Sequence, residues 1–467
     1  MSLIKPVEIV APEELSPVHF IAIGGVSMSS IAELFADRGM QVSGCDNSSS
    51  PVLERLADKG IQVSIGHDPS HLNGIRGVVV SSAINTGNPE LQEANRRGLP
   101  IWHRSAALAS LMRGKSVISV AGTHGKTSTT GMISVILSQA GMRPSYAIGA
   151  PLADTGESAV IDDGRWFVVE ADESDGSFLQ YPTEIAVITN VEADHLDNWG
   201  TAEKYATGFV RFATADSVHA VVLDGDDPGA RALAAELKGR KVITYGESAD
   251  CDVRITGIDT SDFRATAILL TKTGEYAVRL NVPGRHNLHN AAGAFAAALL
   301  AGLTPEQALS GLAAFRGTMR RFQPVGEASG IRIFDDYAHH PTELRAALTA
   351  ARQVAAGSRV VACFQPHLFT RTRDFADDFG DALTLADVIV LTDIYPAREA
   401  PIPGVSGETL VDAVRKHSRE PIYVADKADL PLALSQIVES GDLVLTLGAG
   451  DITKIGPQLL DLLQSGN

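Results

Sequence analysis

VISVAGTHGKTSTTGMISVIL, residues 117–137, decides how the chain is read. An apolar, β-branched run leads into Gly122-Thr123-His124-Gly125-Lys126-Thr127, and a helix-forming segment follows. Strand, loop and helix stand in the order a phosphate loop needs. The common pattern G-x-x-x-x-G-K-[ST] wants a glycine five residues before Gly125, where this chain has Val120; Gly122 stands three before it. The stretch is therefore either a nucleotide site with a shorter loop or a turn of small residues. A turn poorly explains a lysine followed by Thr-Ser-Thr-Thr at a helix start. Lys126 can reach the β/γ-phosphates of a nucleotide, and the Thr127 hydroxyl can take Mg²⁺.

Outward from that stretch, short β-branched runs alternate with amphipathic or Ala-rich segments. HFIAIGG, QVSGCD, GVVVSSAI, WFVVEAD, IAVITNVEAD, HAVVLDGDD, IRIFDDY, RVVACFQPH, DVIVLTDIY and LVLTLGAGD all read as strands, many continuously apolar. This rhythm predicts an α/β architecture with parallel sheets buried on both faces. The 467 residues suggest about two to four domains. Seams at RSAALASLMRGKS and FRGTMRRFQPVGEASG predict three, over residues 1–112, 113–318 and 319–467. CDVRITGIDTSDFRATAILLTKTGEYAVRLNVPG reads as a small antiparallel meander.

Bulk properties narrow the partners. A net charge of −17 argues against nucleic acid, whose phosphates need Lys/Arg stripes. Three widely spaced cysteines with no C-x-x-C indicate neither a zinc motif nor a disulfide framework. The N-terminus lacks an apolar signal core and no run is long enough to span a bilayer, so the cytoplasm is expected, without membrane insertion. The sequence gives no oligomeric state.

Further stretches carry chemistry. FIAIGGVSMSSIAELFADRGMQVSGCD (20–46) is strand, Gly-rich turn, helix, strand and then Asp46. Such a turn lets backbone amides approach a phosphate, or it is a tight turn without a ligand. VVEADESDGSF (168–178) and TNVEADHLDNWG (189–200) place acids just after strands, where ligands of open α/β sheets sit. Glu170 and His195 are candidate metal ligands there, although acids at strand ends also cap helices. GRHNLHN opens a helix with His286, Asn287 and Asn290, and the asparagine amides either cap it or read an adenine edge. DDYAHHPTEL (335–344) and FQPHLFTRTRDF (364–375) gather His339, His340, His367, Arg371 and Arg373, which suggests recognition of a small acid such as an amino acid.

With these residues assembled, the chain resembles the Mur ligase family, from IAIGGVSMS to LGAGDI. That family's phosphate loop is G-T-x-G-K-[ST], and GTHGKT matches it in full. The resemblance implies three domains: a Rossmann-like N-terminal domain, a central P-loop-type ATPase domain and a Rossmann-like C-terminal domain. It implies ATP-dependent ligation of L-alanine to the lactyl carboxylate of UDP-N-acetylmuramate through an acyl phosphate. Attachment of a preformed tripeptide is the alternative within the family, and a nucleotide-regulated binding module is one outside it. The N-terminal domain would hold the UDP-sugar with Gly24, Gly25, Ser27, Met28, Ser29, Asp46, Ser81, Ser82 and Ala83. ATP would lie on Gly122, Thr123, His124, Gly125, Lys126, Thr127 and Ser128, with His286, Asn287, Asn290, Arg321 and Asp336. Thr127, Glu170 and His195 would hold Mg²⁺; Tyr337, His339, His367 and Arg371 would form the amino-acid pocket. Lys126, Glu170, His195 and His339 would carry the chemistry. GGVSMS stands where the family often has GGAGMS, and Leu368 and Phe369 where relatives often carry Arg and Tyr. No lysine after DHLD is placed to serve as a carbamylated metal bridge.

Overall fold

The structure, a computed structural model, describes residues 3–261, 263–397 and 399–465. It divides into two compact units: Met1–Thr256 with Leu269–Tyr276 and His289–Ala314, and Gly257–Ile268 with Ala277–Leu288 and Phe315–Asn467.

The first unit begins with a five-stranded sheet of β1 (Val18–Ile21), β2 (Val42–Asp46), β3 (Gln62–Ile65), β4 (Gly77–Val80) and β5 (Ile101–His103), all parallel, in the order β3-β2-β1-β4-β5. The chain winds outward from β1 in one direction, then restarts at β4 in the other. The loops after β1 and β4 therefore flank a topological switch point, where such sheets bind ligands. Val18 and Phe20 sit at zero exposure in a core shared with Phe35 and Val79. Alternation turns His19 and Ile21 to the opposite face.

A second sheet follows, with β6 (Ser116–Ala121), β7 (Ser145–Ala147), β8 (Ala159–Val160), β9 (Trp166–Glu170), β10 (Ile185–Ile188), β11 (Ala220–Asp224) and β12 (Lys241–Gly246). Its order is β12-β11-β10-β6-β9-β7-β8. β6 lies between β10 and β9, parallel to both, with Val120 opposite Glu170 and Ala121 opposite Ile188. The segments after β6, β9 and β10 consequently emerge side by side. Beyond β12 the sheet continues through β13 (Val253–Asp259), β14 (Ala265–Thr271) and β15 (Gly274–Leu280). The two-residue link Lys272-Thr273 can only reverse the chain, which makes this the expected meander.

The helix Lys126–Gln139 runs back from β6 with most of its residues buried, including Thr130 and Ser134. Each of these hydroxyls donates to the carbonyl four residues earlier, at 2.8 Å, so burying them leaves no orphaned donor. The helix Pro305–Ala314 packs on it through Gly311, where a Cβ would lie 2.4 Å from the Ile136 Cα.

The third sheet, in the second unit, comprises β16 (Gln323–Ala328), β17 (Ile331–Asp336), β18 (Val360–Phe364), β19 (Val388–Leu391), β20 (Ile422–Tyr423) and β21 (Leu443–Leu447). Its order is β16-β17-β21-β18-β19-β20. Only β16 is antiparallel, and the rest form a Rossmann-like parallel sheet. Among the described residues no helix is long and apolar enough to cross a membrane.

Gly311→Ala forces a methyl group into the Ile136 backbone. It is expected to destabilise the protein by about 1–3 kcal/mol, read as a lower urea midpoint at unchanged slope. An unchanged midpoint would mean that the two helices do not meet there.

Candidate active site

Two glycines shape the phosphate loop. Gly122 has φ +141°, and a Cβ there would lie 2.0 Å from the Thr189 hydroxyl. Gly125 has φ +82° and caps the helix Lys126–Gln139; a Cβ there would meet the Asn290 amide oxygen at 2.6 Å. The loop is fastened from the end of β10. Thr189 Oγ1 donates to the His124 carbonyl at 2.5 Å, Asn190 Nδ2 donates to the same oxygen at 3.0 Å, and the His124 N–H returns a bond to Asn190 Oδ1 at 2.8 Å. Thr123 Oγ1 donates to the Glu192 carbonyl at 2.7 Å and meets the Tyr205 hydroxyl at 3.0 Å.

Lys126 turns its ammonium back over this loop. Nζ donates to the carbonyls of Gly122 and Thr123 at 2.5 and 3.1 Å and pairs with Glu173 at 3.0 Å. Burial opposes its charge, yet Glu173, Glu170 and Asp172 together raise its pKa. Glu173 is 1% exposed; burial raises it to about 7 against the pull of Lys126, with Asp172 adding to the rise. Asp172 is held below the ordinary carboxylate range. Burial pushes its pKa up, but Arg104 at 2.8 Å, the Ser174 hydrogen bonds and Lys126 outweigh that. His195, in the left-handed region at φ +54°, brings Nε2 to 3.9 Å from Glu173 and 3.5 Å from Asp194. Glu170 accepts the Gly149 N–H at 2.7 Å, and Thr127 is buried at the start of its helix.

At the first sheet's switch point, Gly24 N–H and Asn47 N–H both donate to Asp46, at 2.9 and 2.7 Å. The expected Gly-rich turn and acid are thus brought together. Gly25 caps the helix Val26–Asp37, which carries Ser27, Met28 and Ser29, the last two buried. Ser82, between Ser81 and Ala83 after β4, donates to Asp175 at 2.8 Å and lies 3.1 Å from His103 Nε2. Burial, reinforced by Arg104, lowers His103 to about 4 and keeps it neutral.

The second unit gathers its own cluster. The His339 ring stands 5.1 Å from that of Tyr337 and 5.8 Å from that of His367, and Arg371 Nη1 is 3.5 Å from His367 Nδ1. The Tyr395 ring stacks on His367 at 5.7 Å. His339 Nδ1 donates to the Tyr337 carbonyl at 3.0 Å, which leaves Nε2 as an acceptor. Burial drops His339 to about 3 despite Glu343 nearby. Asp336 accepts from the Phe322 and Ala338 N–H groups at 2.7 Å, and burial raises it to about 6 against the pull of Arg321. Arg321 lies over the Tyr337 ring, 5.4 Å from its centroid. Within the helix Arg285–Leu300, His286 lies beside Gly284, and Asn287 Nδ2 donates to the Pro283 carbonyl at 2.8 Å.

The expected phosphate loop, the Gly24–Asp46 pair and the Tyr337–His339–His367–Arg371 group are each assembled as clusters. Sequence reasoning passed over Glu173, Asp172, Arg104, Glu343 and Tyr395. Glu173 and Asp172 lie in the quoted EADESD, and Glu343 in PTEL. Burial separates Glu173 from an ordinary strand-end acid.

A P-loop-type domain between two Rossmann-like folds, with a buried lysine at its phosphate loop, defines an ATP-dependent ligase class. Three family domains match in sequence: the Mur ligase family catalytic domain over residues 17–116, the Mur ligase middle domain over 120–298 and the Mur ligase glutamate ligase domain over 320–450. The chain belongs to the Mur ligase family. It is 56% identical to the UDP-N-acetylmuramate–L-alanine ligase of Cutibacterium acnes, covering 99% of both chains. It is 49% identical to the enzyme of that name from Kineococcus radiotolerans, covering 96% of both. Among solved structures, the UDP-N-acetylmuramate-alanine ligase of Thermotoga maritima superposes with TM-score 0.82 at 27% identity, over 96% of this chain and 99% of that one. A murein peptide ligase from Psychrobacter arcticus gives 0.71 at 25% identity, over 96% and 98%.

The raised Glu173 makes a pH-dependence testable. Between 4.5 and about 7 the folded protein binds this proton and the unfolded chain does not, so stability falls as pH rises through that window. Glu173→Gln, measured without nucleotide, is expected to remove up to roughly 3 kcal/mol of that fall. A wild-type slope retained in the variant would show that Glu173 titrates normally.

Proposed function

We propose that the chain joins L-alanine to the lactyl carboxylate of UDP-N-acetylmuramate at the expense of ATP, releasing UDP-N-acetylmuramoyl-L-alanine, ADP and phosphate. The observation that carries this reading is full-length identity of 44–56% to enzymes of that name, on a fold whose phosphate loop holds a buried lysine.

The lactyl carboxylate attacks the γ-phosphorus and ADP departs, leaving an acyl phosphate. The amine of alanine then adds to the acyl carbon, and phosphate leaves from the tetrahedral intermediate. A free carboxylate is a poor acyl donor, and phosphorylation supplies the leaving group. The phosphate loop orients the transferring group, and Lys126 offsets the charge on its oxygens. Moving Nζ onto phosphate frees Glu173, whose raised pKa lets it take a proton instead of remaining a buried lone charge.

The donor set Thr127 hydroxyl, Glu170 carboxylate and His195 imidazole suits a divalent ion such as Mg²⁺; Glu170 ends β9, and Thr127 and His195 lie in the segments that follow its neighbours in the sheet, β6 and β10. Such an ion, when bound, offsets charge on the β- and γ-phosphates. Gly24, Gly25, Ser27, Met28, Ser29, Asp46, Ser81, Ser82 and Ala83 are assigned to the UDP-sugar. Ser128, His286, Asn287, Asn290, Arg321 and Asp336 are assigned to ATP alongside the loop. Arg371 would grip the alanine carboxylate bidentately, His339 Nε2 would receive an N–H of its amino group, and Tyr337 and His367 would complete the pocket. Residues 1–112, 113–318 and 319–467 would be the domains for UDP-sugar, ATP and amino acid. The reaction would run in the cytoplasm, where both nucleotides are made.

Phosphate release is measured with ATP and UDP-N-acetylmuramate while L-alanine, glycine, L-serine or a stem tripeptide is offered. L-Alanine is expected to give the fastest release, with one product of matching mass. Release only with the tripeptide would move the assignment to the murein peptide ligase reaction. Lys126→Ala is expected to fold and to lose about 10²–10³-fold in kcat; full turnover would contradict the assignment.

A further inference from the structure

On the face of the first sheet opposite Phe20 lies a polar cluster that the ligation chemistry does not use. His19 comes from β1, Cys45 from β2, His71 from the turn Pro69–Leu72 and Glu90 from the start of the helix Pro89–Arg97. Ile21, Leu72, Val78 and Ala94 pack against Cys45. Glu90 and Cys45 are fully buried, and His19 is 1% exposed. One donor atom from each of the four residues falls within 4.8 Å of all the others.

The contacts are specific. Cys45 Sγ lies 2.7 Å from Glu90 Oε2, His71 Nδ1 lies 2.6 Å from Glu90 Oε1, and His19 Nε2 lies 3.6 Å from the same Oε1. His67 Nδ1 sits 3.1 Å from both Cys45 Sγ and Glu90 Oε2, as a fifth group at the rim. A tetrahedral zinc ion at its usual bond lengths sets donor–donor edges of roughly 3.3–3.8 Å. The 3.6 Å contact already has that length. The two shorter ones are proton-bridged, and their donors must part by under about 1 Å to admit the ion.

His19 gives the pointer to a cation. Its Nδ1 lies 2.9 Å from Ser43 Oγ, and that hydroxyl is oriented toward the Val18 carbonyl. The hydroxyl-to-carbonyl contact is 3.5 Å long; in the tautomer that donates from Nδ1 to Ser43, the imidazole lone pair lies on Nε2, the form that a metal ion takes. That atom is buried without a hydrogen-bond partner and faces the Glu90 carboxylate. In that tautomer two acceptors face each other in a dry interior, and a cation between them, or a proton on Nε2, removes the repulsion. The Nδ1–hydroxyl bond is also the outer support that orients metal-binding histidines.

We propose that His19 Nε2, Cys45 Sγ, His71 Nδ1 and a Glu90 carboxylate oxygen form a structural zinc site in the N-terminal domain, separate from the nucleotide chemistry. A thiolate, a carboxylate and two neutral imidazoles sum with Zn²⁺ to zero charge, so the ion lets this polar group be buried without an unbalanced charge. The site would pin the helix Pro89–Arg97 and the turn Pro69–Leu72 to the sheet below.

The test uses the full-length chain, stripped with a chelator, dialysed, and titrated with Co²⁺ and then with Zn²⁺ alone. One equivalent of Co²⁺ is expected to produce tetrahedral d–d bands and a thiolate-to-cobalt charge-transfer band, both displaced by Zn²⁺. Cys45→Ser should abolish the charge-transfer band and weaken Zn²⁺ binding at least tenfold, by about the minimum that outer-shell losses cause. His71→Ala, at a part-exposed side chain, should weaken binding similarly with its circular dichroism retained. Cys251→Ser and Glu170→Gln should leave the bands intact, which separates this site from the other thiol and from the nucleotide centre. Absence of a charge-transfer band in the wild type, or its persistence in Cys45→Ser, would overturn the proposal.

Discussion

A single buried ammonium organises the carboxyl edge of the second sheet. Lys126 is the first residue of a buried helix, and its side chain turns back across the loop that precedes it. Three acids, one ending β9 and two just after it, act on the charge, and Glu173 meets it directly. Such a pair is poor evidence of stability, because desolvation costs about what attraction returns. Its value lies in being convertible. In the proposed reaction the ammonium exchanges carbonyls and one carboxylate for phosphate oxygens, and the carboxylate left behind can hold a proton near neutrality.

That exchange requires a loop that does not move when its lysine does. Gly122 and Gly125 allow the close approach of Thr189 and Asn290, and Thr189 and Asn190 tie the His124 carbonyl to the next strand. The loop amides are thus fixed by β10, not by the lysine. Gly122, three residues before Gly125, sits where the turn closes against that neighbouring strand end. Preorganised amides are what electrostatic catalysis of phosphoryl transfer demands.

The central strands were legible because parallel strands buried on both faces must be continuously apolar, as in SVISVA and IAVI. The strands that escaped notice were short, at edges or, like the interior β12, mostly only part-buried. β3 is exposed at both ends, β8 and β20 span two residues each, and β16 carries Pro324. Glycine, lysine and threonine at a strand–helix junction exposed the phosphate loop, and His/Arg clustering exposed the second unit's side-chain cluster. Glu173 and Arg104 stayed hidden because side-chain type says nothing about burial, and Arg104 meets Asp172 across 68 residues of chain. The His19–Glu90 cluster draws on four elements and leaves no local spacing to read.

The central claim is that phosphate departs from the lactyl carboxylate itself. UDP-N-acetylmuramate carrying heavy oxygen in that carboxylate, turned over with ATP and L-alanine, tests it directly by mass analysis of the released phosphate. Activation through an acyl phosphate transfers one labelled oxygen to each phosphate formed. Phosphate free of label, with amide formed at the normal rate, would contradict the account.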